Sequence, residues 1–129
     1  MEMIPRQQFR IICVDDNPTI VENLADCLNH AGYDVDTARN GNRALMKISK
    51  APYTIDLIIT DLRMPGMDGF ELIVQARAAG YIGPFIVYSG QIMPGDRQRL
   101  GQLGVSRVLE KPMRNAEIVG AVRQAQQGY

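Results

Sequence analysis

Asp61 closes an apolar run, Ile55-Asp56-Leu57-Ile58-Ile59-Thr60, and a Pro- and Gly-rich stretch follows it, Leu62-Arg63-Met64-Pro65-Gly66-Met67-Asp68-Gly69. Asp15 and Asp16 close a second such run, Ser89 a third and Lys111 a fourth. Taken singly these residue types are ordinary at surfaces and turns, where Asp16 could cap a helix, Ser89 could satisfy a turn and Lys111 could be a solvated charge. Four strand ends carrying an acidic trio, a hydroxyl and an ammonium are a different matter, because the carboxyl ends of strands in an open α/β sheet face a crevice. Three carboxylates in one crevice repel each other, and a hard divalent cation with oxygen ligands, Mg²⁺ above all, relieves that repulsion. No His or thiolate accompanies them to suit zinc. A cation, a lysine and a hydroxyl beside a carboxylate can stabilise the charge on a phosphoryl group in transfer, with Asp61 as the nucleophile that becomes an aspartyl phosphate.

The elements that must position these groups can be read in order. Residues 9–14 are nearly continuous in apolar character, as a buried parallel strand is. Asn17-Pro18 supplies an N-cap and a first-turn proline for helix 1, which presents Ile20, Leu24, Cys27, Leu28 and Ala31 at helical spacing and stops at Gly32. Residues 33–38 alternate, which predicts a strand nearer the sheet edge. Helix 2 is expected over 42–50, burying Ala44, Leu45 and Ile48, and strand 3 is the run that ends on Asp61. Helix 3 is expected over 69–79 on Phe70, Ile73 and Ala76, and strand 4 over 85–89. Helix 4 is the weakest element: Pro94 and Gly95 could open it, but Gly101 interrupts Leu100 and Leu103, and an interior Gly costs about 1 kcal/mol against Ala. A short strand at 107–110 and a helix from about Asn115, burying Ile118, Ala121, Val122 and Ala125, complete the chain. Five strands alternating with five helices predict an α/β fold, a doubly wound parallel sheet. In the flavodoxin-like order 2-1-3-4-5, Asp61 has the acidic pair one strand away, about 4.8 Å, and Ser89 one strand away on the other side. Lys111 starts about 10 Å off and reaches in on its flexible stem.

With 129 residues, 46% of them hydrophobic, the chain suits one domain with a full core. A formal net charge of zero argues against a broad nucleic-acid or membrane footprint. No apolar run approaches the roughly 20 residues that span a bilayer, and the first eight residues contain no secretory h-region. Cys13 and Cys27 read as small buried hydrophobes in a reducing compartment, without a CxxC or His cluster to suggest metal. A soluble cytoplasmic domain is expected. His30, near the end of helix 1, reads as a solvated residue.

Four motifs carry a resemblance to a known family: Val14-Asp15-Asp16-Asn17-Pro18, Asp61-Leu62-Arg63-Met64-Pro65-Gly66-Met67-Asp68-Gly69, Ser89-Gly90 and Lys111-Pro112. The chain resembles the receiver domain of two-component response regulators over residues 9–127, with residues 1–8 as an N-terminal extension. The resemblance implies a phosphorelay switch rather than an enzyme, taking a phosphoryl group from a sensor histidine kinase or a histidine phosphotransfer protein onto Asp61. It implies that Asp16 ligates Mg²⁺ (or Mn²⁺) directly, that Asp15 helps through water, and that Asp61 and the main-chain carbonyl of Arg63 complete the protein ligands. Ser89 is then expected to hydrogen-bond a phosphoryl oxygen, and Lys111 to pair with it.

Two departures bear on output. The family has Tyr or Phe three positions before its lysine, where a ring swings inward on activation; here that position is Val108. Helix 4, with Gly95 and Gly101, is poor in helix propensity. Switching is therefore expected to move helix 4 or the preceding 90–95 loop rather than an aromatic ring. Arg63 and Gln91, each two positions past a site residue, either flank the approach of water to the phosphate or are plain solvated side chains. The expected output is binding to another protein or domain through helix 4, strand 5 and helix 5, including Arg97, Arg99 and Arg107, by a monomer or a phosphorylation-dependent dimer. Direct contact with nucleic acid or membrane is not expected. Three other readings stay in view. An aspartate-dependent phosphohydrolase would need a second Asp where Arg63 stands, and a nucleotide or flavin binder would need a Gly-rich loop in place of Asp15-Asp16. A receiver fold used as a static binding module remains open through Val108.

Overall fold

Three strands of the sheet are buried on both faces and two are not, which is the arrangement expected when helices cover the centre and solvent reaches the edges. The computed structural model describes residues 8–128. β1 (Arg10–Val14), β3 (Leu57–Thr60) and β4 (Phe85–Ser89) form the centre, β2 (Asp34–Ala38) and β5 (Arg107–Glu110) the edges, in the order β2-β1-β3-β4-β5. All neighbours are parallel. The connections are α1 (Pro18–His30), α2 (Gly41–Lys50), α3 (Gly69–Ala78) and α4 (Asp96–Gln102), and α5 (Asn115–Gln127) follows β5. A 3-10 turn at Pro52–Thr54 leads into β3. This is the flavodoxin-like sheet of five strands and five helices that the alternation of elements predicts.

The period-2 alternation of strand side chains divides the interior into two layers. Ile11, Cys13, Leu57, Ile59 and Ile86 face α1 and α5, meeting Val21, Leu24, Leu28, Ile118 and Val122. Ile12, Val14, Ile58, Phe85 and Val87 face the opposite way, toward Ala44, Ile48, Phe70, Ile73 and Leu100 on α2, α3 and α4. α1, α2 and α3 start where polar side chains satisfy their first amides. Asn17 accepts from Thr19 and Ile20 N–H (3.0 and 3.2 Å), Asn40 from Arg43 N–H (2.8 Å) and Asp68 from Glu71 N–H (2.9 Å). Each such cap is worth about 1 kcal/mol. α4 has no side-chain cap: its N-cap is Gly95, at φ +89°.

Several boundaries shift from the sequence expectation, for local reasons. β1 starts at Arg10, one residue late; Phe9 still accepts from Asp34 N–H at 3.1 Å, and its ring meets the Tyr33 ring edge-on at 5.7 Å. β2 starts at Asp34, because Tyr33 N–H still closes the end of α1 on Leu28 O. α2 starts at Gly41, one residue early, and α3 ends at Ala78, with Ala79 as its cap. Pro94 and Gly95 precede α4 rather than open it. Leu45 and Ala121 are half-buried rather than buried. Cys27 corrects the expectation of a buried thiol: it is half-buried on the side of α1 facing α5, its Sγ 3.8 Å from Asn115 O. Of the expected N-terminal extension, residues 1–7 lie outside the described residues; Gln8 donates its side-chain amide to Gly32 O at 3.1 Å.

Candidate functional site

Strand register decides which residues meet. Val14 pairs with Thr60, so Asp15 and Asp61, each one position further on, leave the sheet side by side. Both are fixed through their amides, Asp15 N–H to Ala38 O (3.1 Å) and Asp61 N–H to Val14 O (3.0 Å). Ser89 pairs with Glu110, which brings Lys111 next in line, and Lys111 N–H bonds Ser89 O at 2.9 Å. The Lys111–Pro112 peptide is cis. The backbone thus delivers all four side chains to one end of the sheet before any side-chain contact is considered.

Oxygens of Asp15, Asp16 and Asp61 all lie within 4.8 Å of one another. Lys111 Nζ lies between two of these carboxylates, 2.5 Å from Asp15 Oδ2 and 3.0 Å from Asp61 Oδ2. The other oxygen of each carboxylate is held by main chain: Asn17 N–H donates to Asp15 Oδ1 (3.0 Å), and Leu62 N–H to Asp61 Oδ1 (2.6 Å). Asp61 is therefore oriented on one side and faces the cleft with Oδ2. Asp15, Asp61 and Ser89 are buried, while Asp16 is exposed at the cleft mouth. The cleft is open, with a volume of about 480 Å³, and Ser89, Arg63 and Gln91 complete its walls.

Glycine at 69 sets the acceptor loop. A Cβ there would lie 2.3 Å from Asp61 O and 2.9 Å from Leu62 Cα, so the start of α3 can approach Asp61 this closely only without a side chain. Gly69 N–H donates to Leu62 O at 2.9 Å, which locks that approach. A glycine opening a helix directly after its Asp68 cap was the one available sequence signal for this role.

The electrostatics show how crowded the site is. Burial pushes the Asp15 carboxyl above its ordinary range, and the Lys111 ammonium and the Asn17 amide offset that only in part. Burial also pulls the Lys111 ammonium down, but its bonds to Asp15 and Asp61 outweigh this and leave it above the usual lysine range. The cluster thus attracts positive charge strongly, and its donors are all oxygens. A divalent cation of the Mg²⁺ kind fits that donor set.

One reading of Arg63 is corrected. It is not a plain solvated side chain: Nη2 lies 2.6 Å from Asp96 Oδ2 at the start of α4, and its guanidinium carbon sits 5.7 Å from the centre of the Phe70 ring. Asp96 itself drew no notice in the sequence, since an Asp in a first helical turn is ordinary. The expected output face has its own ties, Arg97 to Glu110 at 3.1 Å and Arg99 over Phe70 at 3.9 Å. Val108 is half-buried against the α2–α4 layer. His30 is exposed, as expected, beside a cleft of about 830 Å³ between α1 and α5 that gathers no carboxylate cluster. Among the described residues no helix is long and apolar enough to cross a membrane.

Comparison with known proteins agrees with this geometry. Sensor protein EvgS of Escherichia coli is 37% identical over 107 residues, which are 83% of this chain and 9% of that protein. Sensor histidine kinase RcsC of Salmonella typhimurium is 35% identical over 103 residues, 80% of this chain and 11% of that one. The chain thus spans a small part of the sensor proteins it matches. Among solved structures, chemotaxis protein CheY4 of Vibrio cholerae superposes with a TM-score of 0.84 at 29% identity, covering 92% of this chain and 98% of its own. The family model for the response regulator receiver domain matches residues 11–123, and the chain belongs to that family.

Proposed function

We propose that the chain is a phosphorylation-controlled signalling switch in which Asp61 accepts a phosphoryl group from a phosphohistidine donor. The observation that carries this reading is the convergence of Lys111 Nζ on Asp15 and Asp61, beside a cleft that Asp15, Asp16, Asp61 and Ser89 all line. Oδ2 of Asp61 attacks phosphorus, the new P–O bond forms as the P–N bond to histidine breaks, and the departing imidazole nitrogen takes up a proton. Leu62 N–H holds Oδ1, so that Oδ2 is presented without a search over rotamers. Lys111, released from its bridging position, pairs with a phosphoryl oxygen, and the Ser89 hydroxyl donates to another. Asp15 and Asp16, with Asp61 and the Arg63 carbonyl, hold the divalent cation. Bound Mg²⁺ neutralises carboxylate and phosphoryl charge together.

The donor proposed is a sensor histidine kinase or a histidine phosphotransfer protein, in keeping with the sensor proteins that contain the matching stretch. The chain is proposed as a stoichiometric acceptor whose output is altered binding through α4, β5 and α5, and not as a multi-turnover enzyme. Val108 gives a static binding module its best support, because no aromatic ring can move there.

Incubation with Mg²⁺ and acetyl phosphate, followed by intact-mass analysis, separates these readings. Expected is a single alkali-labile phosphate that needs Mg²⁺ and is lost in Asp61→Asn. No adduct in the wild type would leave the static module, and steady release of phosphate from unrelated monoesters would favour a phosphohydrolase.

A further inference from the structure

We propose that Arg63 is the residue that couples Asp61 to α4: in the resting chain it holds Asp96, and in the phosphorylated chain it exchanges Asp96 for phosphoryl oxygens, releasing the first turn of α4. The proposal rests on the phosphoacceptor reading above and adds the route by which the signal leaves the site.

The route starts two residues from the acceptor. Arg63 borders the same cleft as Asp61, Ser89 and Lys111, and its side chain ends on Asp96. Its Nε is buried with no partner among the described residues, so the resting pair leaves one donor of the fork unused. A phosphoryl group on Asp61 brings about −1.5 to −2 charge and three acceptor oxygens, against the single charge of Asp96. Guanidinium groups can meet carboxylate or phosphate in two parallel bonds, but the Asp96 pair is a single Nη2–Oδ2 contact, so the more highly charged phosphoryl group is the stronger competitor for this side chain.

Asp96 is placed to feel the loss. It is the first residue of α4 and only 7% exposed, and its Oδ2 accepts from Arg63 and from Met93 N–H at 2.8 Å. The Asp96 N–H returns a bond to Met93 O at 3.0 Å, closing the turn that leads into the helix. Without Arg63 the carboxylate would be left with one backbone donor in a buried setting, an arrangement that favours outward movement into water. α4 has little to resist this. It has seven residues, no side-chain cap, a positive-φ glycine before it and Gly101 inside it. Such a length does not hold itself as an isolated helix, so its tertiary contacts hold it. Those contacts include the fully buried Leu100, the Arg63–Asp96 pair, the Arg99 stack on Phe70, a ring that Arg63 also approaches, and the exposed Arg97–Glu110 ion pair. Moving Arg63 therefore breaks one of them and disturbs another. A relay of this kind needs no aromatic ring at position 108.

The test is amide exchange across 96–102 in the full chain, with and without Mg²⁺ and beryllofluoride, in the wild type and in Asp96→Asn and Arg63→Gln. Fluorine NMR reports separately whether beryllofluoride is bound. Expected in the wild type is about tenfold faster exchange of α4 on binding, the range of an ordinary coupling between sites. Unliganded Asp96→Asn should already show the faster exchange and should bind beryllofluoride about tenfold more tightly, since linkage is reciprocal. Arg63→Gln should show the same loose α4 but no further change on binding. The double variant should be no looser than either single one, because both remove one interaction. Bound beryllofluoride with an unmoved wild-type α4 overturns the coupling and leaves the phosphoacceptor reading intact. Failure of beryllofluoride to bind the wild type overturns both. A resting α4 in Asp96→Asn or Arg63→Gln that exchanges as slowly as wild type also overturns the coupling.

Discussion

On the β1–β3 side of the molecule, the acidic residues leave two neighbouring strands that are buried from Ile11 to Val14 and from Leu57 to Thr60. The helix that follows Asp15 and Asp16 has thirteen residues and a capped start. On the β4–β5 side, β5 is half-exposed along most of its length, and the helix before it has seven residues and an uncapped start. The groups proposed for chemistry therefore stand largely on the rigid half, and the proposed output face on the marginal half. A site needs its atoms held within a fraction of an ångström, whereas a reporting surface needs two arrangements close in free energy. On the proposed function, the inequality between the two halves would let one small charge change move one of them and not the other. Lys111 crosses between them, rooted beside β5 but anchored on Asp15 and Asp61.

The largest expected contrast is in stability. Leu57→Ala removes a fully buried side chain from the central strand and should cost about 3–4 kcal/mol. Leu103→Ala trims a half-buried side chain at the end of α4 and should cost about 1 kcal/mol. Urea denaturation of both variants tests this, and equal losses would break the distinction between the halves.

Next in size is Gly69→Ala. Its Cβ would meet backbone atoms of Asp61 and Leu62, which cannot step aside as a flexible side chain can. A loss of about 2–3 kcal/mol is expected from the overpacking. The rate of acetyl phosphate labelling at Asp61 should fall by about 100-fold, since a misplacement of about 1 Å has that effect on a reacting group. Labelling at the wild-type rate would show that the acceptor loop is not held by this contact.

How much of this was legible before the structure follows the same division. The central strands announced themselves as apolar runs, and each ended on a polar residue that the register then brought to the cleft. The Asn17 cap was legible because it acts within three residues of itself. The Arg63–Asp96 pair was not, because its partners are 33 residues apart on different loops and no local pattern joins them. Tyr33 was misplaced into β2 for a related reason: its alternation suits a strand, but its amide closes α1 and its hydroxyl donates to Gln126 on α5 at 2.9 Å. α4 looked weak in the sequence because it is weak, and its boundaries are set by contacts that the sequence does not display.

A smaller effect with a definite sign is expected at Asp15. Its folded carboxyl is raised above the ordinary value of 3.8, first by burial and last by the Asp61 charge. The folded chain therefore binds this proton more readily than the unfolded one, and stability from this group falls as pH rises between 3.8 and the raised value. At neutral pH in the absence of metal, ionised Asp15 is a net cost. Asp15→Asn removes the buried charge and keeps one oxygen, which can accept from Asn17 N–H while the amide nitrogen takes the place of the oxygen that faced Lys111. It should raise the melting temperature of the metal-free chain at pH 7 by a few degrees, corresponding to about 0.5–1 kcal/mol. The gain should shrink on acidification and vanish well below pH 3.8, where both states of the wild type are protonated. Added Mg²⁺ should stabilise the wild type more than the variant. A variant less stable than wild type at pH 7 without metal would mean that the Lys111 pairing outweighs burial at this position.

The smallest effect expected is also the one that reports most directly on the marginal half. Gly101 lies inside α4, and a Cβ there would have no atom within 4 Å. Gly101→Ala therefore adds helix propensity, about 0.5–1 kcal/mol, with nothing to clash against. The sign is opposite to that of Gly69→Ala, although the substitution is the same, because one glycine is required by a backbone approach and the other by nothing in its surroundings. If α4 is kept poised by weak propensity, Gly101→Ala should slow amide exchange over 96–102 about two- to fivefold in the resting chain, the equivalent of that free energy. It should also reduce the loosening that beryllofluoride produces, since more of the helix now holds without Arg63. Unchanged exchange in Gly101→Ala would place the control of α4 wholly in its tertiary contacts, and the Arg63–Asp96 pair would then carry a larger share of the difference between the two halves.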